Sequence, residues 1–176
     1  MQLTYTLEEQ DYIDYQLFAA FTNPRILKKN RNGRIWLAVG SFVLAILCYT
    51  ANNLVLAIYF IVVALAVVLF YPAYLKWRYR KHYTQFVRDN YTKHFGKNVT
   101  IAFNHEAILS SSFLGEGKIY LNQIEAVNET ARHLFVRLSG ASSLIIPKMQ
   151  LANLQETKNY LTDIGLTANN YTYLDY

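Results

Sequence analysis

Charge is missing from one long stretch of this chain: from Ile35 to Leu75 there is no Asp, Glu, Lys or Arg. A surface helix of a soluble protein carries a polar stripe along one side. Val55-Leu56-Ala57-Ile58-Tyr59-Phe60-Ile61-Val62-Val63-Ala64-Leu65 is apolar all round, which excludes such a helix here. Ionisable residues inside a membrane span mark conduction paths, so their absence argues against a pore within one chain. Cysteine is scarce as well. Cys48 is the only one, which rules out an intramolecular disulfide and leaves it the role of a small hydrophobe. The first thirty residues lack the basic start and apolar core of a cleavable signal peptide and hold Glu8, Glu9, Asp11 and Asp14 instead. The apolar run itself is expected to direct insertion.

A helix rises about 1.5 Å per residue and a bilayer core is about 30 Å thick, so one span takes about 17–25 apolar residues. Ile35–Leu75 is too long for one span and suits two. Thr50-Ala51-Asn52-Asn53 breaks the run near its middle, and Asn tolerates left-handed backbone in a tight turn. The reading is a transmembrane hairpin over residues 34–75, with helices at about 35–49 and 54–71. Pro72 limits or kinks the second helix. Arg25, Lys28, Lys29, Arg31 and Arg34 precede the hairpin, and Lys76, Arg78, Arg80 and Lys81 follow it. Lys and Arg stay on the cytoplasmic side, so both termini are expected in the cytoplasm of a two-span cell-membrane protein. Trp36, Tyr71, Tyr74 and Trp77 suit an interfacial aromatic belt. These nine cations are more than half of the seventeen basic residues. The net charge of +5 is therefore mainly a topology signal, and with no docking motif beside it nucleic acid is not an expected partner. The same nine are the candidate contacts for anionic lipid headgroups, each worth about 1 kcal/mol near the surface.

Outside the hairpin, Gln2–Thr6 alternate as a strand. Thr6-Leu7-Glu8-Glu9 fits a capping box, opening an amphipathic helix to about Phe21, before Asn23-Pro24. Residues 1–33 thus form an N-terminal cytoplasmic segment whose acidic helix start suits a protein surface better than a membrane. After Pro72, Leu75, Tyr79, Tyr83, Phe86, Asn90 and His94 recur at helical spacing, predicting a helical stalk over 76–95 that Gly96 stops. Six short strands follow: Val99–Phe103, Ala107–Phe113, Lys118–Leu121, Ile124–Thr130, Leu134–Leu138 and Ser143–Ile146. The intervening turns fall at Asn104-His105-Glu106, Gly115-Glu116-Gly117, Ala131-Arg132-His133 and Gly140-Ala141-Ser142. A helix at about Leu151–Ile164 closes the pattern before Gly165, and residues 166–176 read as a loosely ordered tail. The fold class is an α+β membrane protein: a two-helix transmembrane hairpin with a small cytoplasmic β-barrel or sheet domain over 96–165, capped by its C-terminal helix.

No motif assembles a catalytic constellation. His82, His94, His105 and His133 include no i, i+4 pair of the kind a zinc helix uses, and His105 and His133 read as solvated turn residues. Gly115-Glu116-Gly117-Lys118 has Ser112 where a phosphate loop needs its first glycine, and Ile119 where it needs Ser or Thr. Ser110-Ser111-Ser112 has no nucleophile-elbow glycines. The Asn-X-Thr sites at Asn90, Asn98, Asn128 and Asn170 have no use in the cytoplasm. The expectation is no enzyme, no cofactor and no metal.

Three segments carry a resemblance: Tyr71-Pro72-Ala73-Tyr74-Leu75 leading into the basic stretch, Ile124-Glu125-Ala126-Val127-Asn128-Glu129-Thr130, and Leu144-Ile145-Ile146-Pro147-Lys148. On these, from about residue 2 to residue 164, the chain resembles the YcxB-like family of bacterial membrane proteins, which supplies no catalytic residues to carry over. The strand–turn pattern ending in one helix also resembles a pleckstrin-homology-like (PH-like) barrel of seven strands, with residues 2–6 as the seventh. Fold analogy does not fix function. The functional expectation is a membrane-anchored cytoplasmic binding or scaffolding module, with the lipid bilayer and a cytoplasmic protein or peptide as partners. The alternative is a small transporter or channel component, a homo-oligomer whose spans associate through Ala38, Ser41, Ala45, Ala57 and Ala64.

Overall fold

The computed structural model describes residues 2–104, 107–112, 115–140, 142–151, 153–163 and 165–172. His105, Glu106, Phe113, Ala141 and Ile164, each named above in a turn, strand or helix, lie outside the described residues, as do residues 173–176 of the tail. The protein is α+β and divides into two compact units: one holds the chain up to Gln16 and from Thr84 onward, the other Leu17–Tyr83.

The first unit is built on two four-stranded sheets. In one, β1 (Gln2–Leu7), β2 (Lys97–Phe103), β3 (Ala107–Ser112) and β4 (Gly115–Tyr120) lie in that order, all antiparallel. Leu3, Tyr5 and Leu7 are buried while Gln2 and Thr4 face out, the period of two that fixes strand register. Leu3 pairs with Ile101 and Tyr5 with Val99, so the N-terminal segment does supply a seventh strand. Gly115-Glu116-Gly117 is not a turn but part of β4, where Ser112 and Ser110 of β3 pair with its two glycines. In the second sheet β5 (Ile124–Glu129), β6 (His133–Leu138) and β7 (Ser143–Pro147) form an antiparallel meander. β8 (Ala168–Asn170) adds to β5 in parallel. The tail expected to be loose therefore contains a strand: β5 offers an open edge, and Tyr171 N–H donates to the Glu129 carbonyl at 2.7 Å. Ile101, Ile108, Val127, Leu134, Phe135, Val136 and Ile146 form the fully buried core. Four successive residues of β6, His133–Val136, are buried, as in a strand covered on both faces.

Helix α1 (Glu9–Thr22) begins in this unit. Its cap is not the predicted Thr6 box. Thr6 is engaged in the ladder opposite Asn98, and its N–H donates to Gln150 Oε1 at 2.9 Å. The helix instead starts after Glu8, whose N–H donates to Asp11 Oδ2 at 2.8 Å. The last helix, α4 (Leu154–Asp163), starts three residues later than expected. Lys148–Gln150 form a 3-10 turn first, and the Asn153 side chain caps the helix by accepting from Glu156 N–H at 3.1 Å. Thr157 and Leu161 are its buried face.

The second unit is a helical hairpin. α2 (Pro24–Thr50) starts well before the uncharged run, because Asn23 caps it and Pro24 occupies its first turn. α3 (Leu54–Tyr91) runs as one helix through Pro72, giving up only the bond that residue 72 would donate to the carbonyl of Val68. It ends at Tyr91 rather than Phe95, followed by a 3-10 turn over Thr92–His94. Both helices are long and apolar enough to cross a membrane, with 6% of the most apolar window of each buried. The turn between them is set by asparagine. Asn52 is left-handed, with φ 57°. Asn53 N–H donates to the Cys48 carbonyl at 2.9 Å and Asn52 N–H to the Tyr49 carbonyl at 3.0 Å, the paired bonds of a Schellman cap. Asn53 Oδ1 then accepts from Leu56 N–H at 3.2 Å to start α3.

Candidate functional site

Helical phase sorts the nine flanking cations. Positions 24, 27, 28, 31 and 34 share one face of α2, and 71, 72, 75 and 76 share one face of α3. The two faces line a groove of about 560 Å³. Its apolar wall is Phe21, Pro24, Leu27, Tyr71, Pro72 and Leu75, and its polar groups are Asn30, Lys28, Arg31, Arg34 and Lys76. Arg25, Lys29, Arg78, Arg80 and Lys81 stand outside it. Lys81 Nζ lies instead over the Trp77 ring, 5.5 Å from its centre.

Three contacts hold this end of the hairpin together. Tyr79 Oη donates to Asn30 Oδ1 at 3.1 Å. The Phe21 and Tyr79 rings meet edge to face at 5.7 Å. Gly33 lies so close to Tyr71 that a Cβ there would sit 2.8 Å from the Tyr71 hydroxyl oxygen. The helices can approach here because residue 33 has no side chain. Ala45 and Ala57 are likewise turned inward, 4% and 3% exposed. The electrostatics of the unit are one-sided: no Asp or Glu occurs between Asp14 and Asp89, while all nine cations fall in that interval. The unit has no carboxylate of its own to neutralise the groove.

The first unit holds two ionic clusters. In one, Asp14 is 1% exposed and lies 2.8 Å from Arg132 Nη2, while Gln10 Nε2 donates to its other oxygen at 2.6 Å. His133 Nε2 is 2.7 Å from Asp11 Oδ1. The ring of His133 stacks on Phe135 at 5.3 Å. His133 is thus not a solvated turn residue but 3% exposed, drawn inside because β6 begins with it and α1 supplies the carboxylates. In the other cluster, Lys148 Nζ lies 2.6 Å and Lys158 Nζ 2.7 Å from Glu129 Oε1, and Lys148 also donates to the Thr130 carbonyl at 2.5 Å. Burial pushes the Glu129 carboxyl up, but hydrogen bonds from the two lysines hold it below its ordinary value. The first cluster ties α1 to β6, and the second ties β5 to the turn after β7 and to α4. Among the described residues, no group of three or more His, Cys, Asp or Glu is placed to hold a metal.

Residues 103–161 match the family model of YcxB-like protein. The matched segment runs from the end of β2 into α4 and includes Glu129, Arg132, His133, Lys148 and Lys158, so it covers β3 to β7 and most of α4 and leaves β1, β8 and the groove outside. Two of the three resembling segments, Ile124–Thr130 and Leu144–Lys148, lie within it. Their ends meet in the structure through the Glu129–Lys148 pair. No curated protein matches the chain.

Proposed function

We propose that the protein is a cell-membrane protein whose α2–α3 hairpin anchors a cytoplasmic domain of PH-like design, and that this domain is a non-enzymatic binding or scaffolding module. The observation that carries the reading is the outward surface of the hairpin. Trp36 is 74% exposed, Val55 79%, Leu69 70% and Phe70 68%. An apolar surface this continuous is incompatible with water and matches a bilayer. The PH-like design is supported by seven strands in two sheets before a closing helix, α4. The cations at the open ends of the hairpin, against an uncharged turn, support a cytoplasmic placement of both termini. The transporter alternative draws little support: Ala45 and Ala57, two of the small residues it needs on the outer surface, are turned inside.

Protease digestion of inverted membrane vesicles tests the topology. The strand unit should be cleaved and the Asn52-Asn53 turn spared; a protected strand unit overturns the cytoplasmic placement. Photocrosslinkers at exposed Leu109 and Tyr120 test the module. Adducts to one discrete protein from these positions, and not from Leu69, are expected. Adducts to lipid alone, or solute flux through reconstituted protein, overturn the binding reading.

A further inference from the structure

We propose that β4 is a pairing edge for a second copy of this chain: two β4 strands join antiparallel about a two-fold axis at Gly117, each Glu116 facing the other copy's Lys118. The inference goes beyond the function proposed above and draws on its membrane placement only for the confinement of the copies to one bilayer.

The sheet ends come first. An exposed strand edge is a template for another chain, and native proteins shorten it, cover it or charge it. β1 and β7, one end of each sheet, lie beside each other, and Gln150 engages both the N–H and the carbonyl of Thr6 at 2.9 Å. β8, the other end of the second sheet, is only three residues long. β4 is six residues long, and among the described residues β3 is its one strand neighbour. Its last N–H, of Tyr120, turns to Gln123 Oε1 at 3.4 Å. That leaves Gly115–Ile119, a stretch centred on Gly117, to pair outward.

Charge selects the occupant. Ile119 pairs with the fully buried Ile108, so it points inward, and Glu116 and Lys118 alternate with it onto the outer face. Their ladder neighbours on β3 are Ser111 and Leu109, which carry no charge. Among the described residues neither Glu116 nor Lys118 joins an ion pair; Lys118 Nζ lies over the Tyr120 ring, 5.0 Å from its centre. An edge with Glu and Lys placed evenly about a central residue is complementary to itself after half a turn. Pairing about Gly117 sets Glu116 opposite Lys118 twice. The neighbouring registers that keep outer face beside outer face centre on Glu116 or on Lys118, and set like charges opposite each other, which is unfavourable. The pattern thus favours one register of one partner. Gly117 is no obstacle on the axis: even a Cβ there meets nothing within 4 Å. Copies anchored in one bilayer meet at a raised effective concentration, which suits an interface of a few ladder bonds.

The test is the initial rate of disulfide formation between full chains carrying Cys48→Ala, reconstituted in phosphatidylcholine vesicles and oxidised with copper phenanthroline. Residues opposed across an antiparallel ladder have Cα atoms about 4.5–5.5 Å apart, within the reach of a disulfide, about 4.4–6.8 Å. Gly117→Cys should therefore link to its own copy. It should do so at least about ten-fold faster than Met149→Cys, whose position is 91% exposed and off the edge and reports random collision. Chains with Glu116→Cys and chains with Lys118→Cys should link when mixed and not when either is alone. With Gly117→Cys in place, Glu116→Lys should slow linking at least about ten-fold, about 1.4 kcal/mol, and adding Lys118→Glu should restore it. A Gly117→Cys rate no greater than that of Met149→Cys overturns the pairing. So does linking that Glu116→Lys leaves untouched, or a double reversal that fails to rescue. In native membranes, linking of Gly117→Cys to a different protein in place of its copy overturns the choice of occupant. A chain that fails to insert into the vesicles fails the membrane placement and the confinement the pairing uses, an outcome distinct from a chain that inserts and does not link.

Discussion

In the strand unit Phe135, Ile101, Ile108, Val127 and Val136 are wholly inside; over the uncharged run of the helical unit Trp36, Val55, Leu69 and Phe70 are outside, and Ala45 and Ala57 are the residues turned in. The same classes of side chain are sorted in opposite directions within one chain. Burial stabilises only relative to the solvent left behind. A strand core gains about 1.5–3 kcal/mol for each large apolar side chain taken from water. Helices surrounded by hydrocarbon gain nothing comparable, and depend on close approach, interhelical hydrogen bonds and well-formed turns. In the proposed membrane placement, Gly33 beside Tyr71, the Tyr79–Asn30 bond and the Asn52 cap are the helical unit's versions of these devices.

The sharpest way to break the comparison is to truncate one large side chain in each unit and measure unfolding of the full chain in detergent. Phe135→Ala removes a fully buried ring packed against Tyr15 and His133 and should cost about 3–5 kcal/mol. Leu69→Ala, at a position 70% exposed, should stay within about 0.5 kcal/mol. Equal losses would mean the hairpin's outer surface is packed against something that water-excluding detergent does not replace. Next in size is His133→Ala. It strips Asp11 of its 2.7 Å partner and uncovers the Asp14 carboxylate, and should cost about 2 kcal/mol, the penalty for an unsatisfied buried group. Pairing it with Asp11→Ala should lose less than the sum of the two changes.

Smaller effects probe the turn. Asn52 sits at φ 57°, a region that costs a β-branched residue about 1–2 kcal/mol. Asn52→Val should destabilise the hairpin by that amount in thermal unfolding in detergent, whereas Asn52→Gly should stay within about 0.5 kcal/mol. Similar losses for both would show that the Asn side chain, not the backbone shape, is what matters there.

Asn52 also marks what could be read in advance. The turn was legible because Asn is one of few residues that tolerate left-handed backbone, and the strands because Leu3 and Tyr5, or Val99, Ile101 and Phe103, alternate; Leu7 read as part of a helix cap and is instead the end of β1. β8 was not. Ala-Asn-Asn has little strand propensity, and its pairing comes from the open edge of β5. The burial of His133 was equally hidden, since its carboxylate partners lie more than a hundred positions away on α1. The basic flanks could be counted, but which four cations converge could not be. That depends on the phase of both helices, on α2 beginning at Pro24 rather than at the edge of the uncharged run, and on α3 continuing through Pro72.

The smallest effect sharpens the electrostatic side of the comparison, because the strand unit holds carboxylates paired with its own lysines and the hairpin sequence holds no carboxylate. Burial raises the Glu129 carboxyl, and hydrogen bonds from Lys148 and Lys158 more than offset it, leaving the folded value below the ordinary one of 4.5. A carboxyl depressed in the folded state binds fewer protons there than in the unfolded chain. Its contribution is therefore complete above the ordinary value and lost as pH falls through the depressed one. With Glu129 14% and Lys148 11% exposed, Glu129→Gln should cost about 1 kcal/mol at neutral pH. The gap between variant and wild type should close on acidification below about pH 4.5, the ordinary value. Removing cations from the hairpin, Arg25→Gln and Arg78→Gln, should leave the pH dependence of stability unchanged over the same range, since that unit contains no carboxylate to titrate. A Glu129→Gln deficit that persists unchanged into acid would show that the Lys148 and Lys158 contacts act by packing rather than by charge.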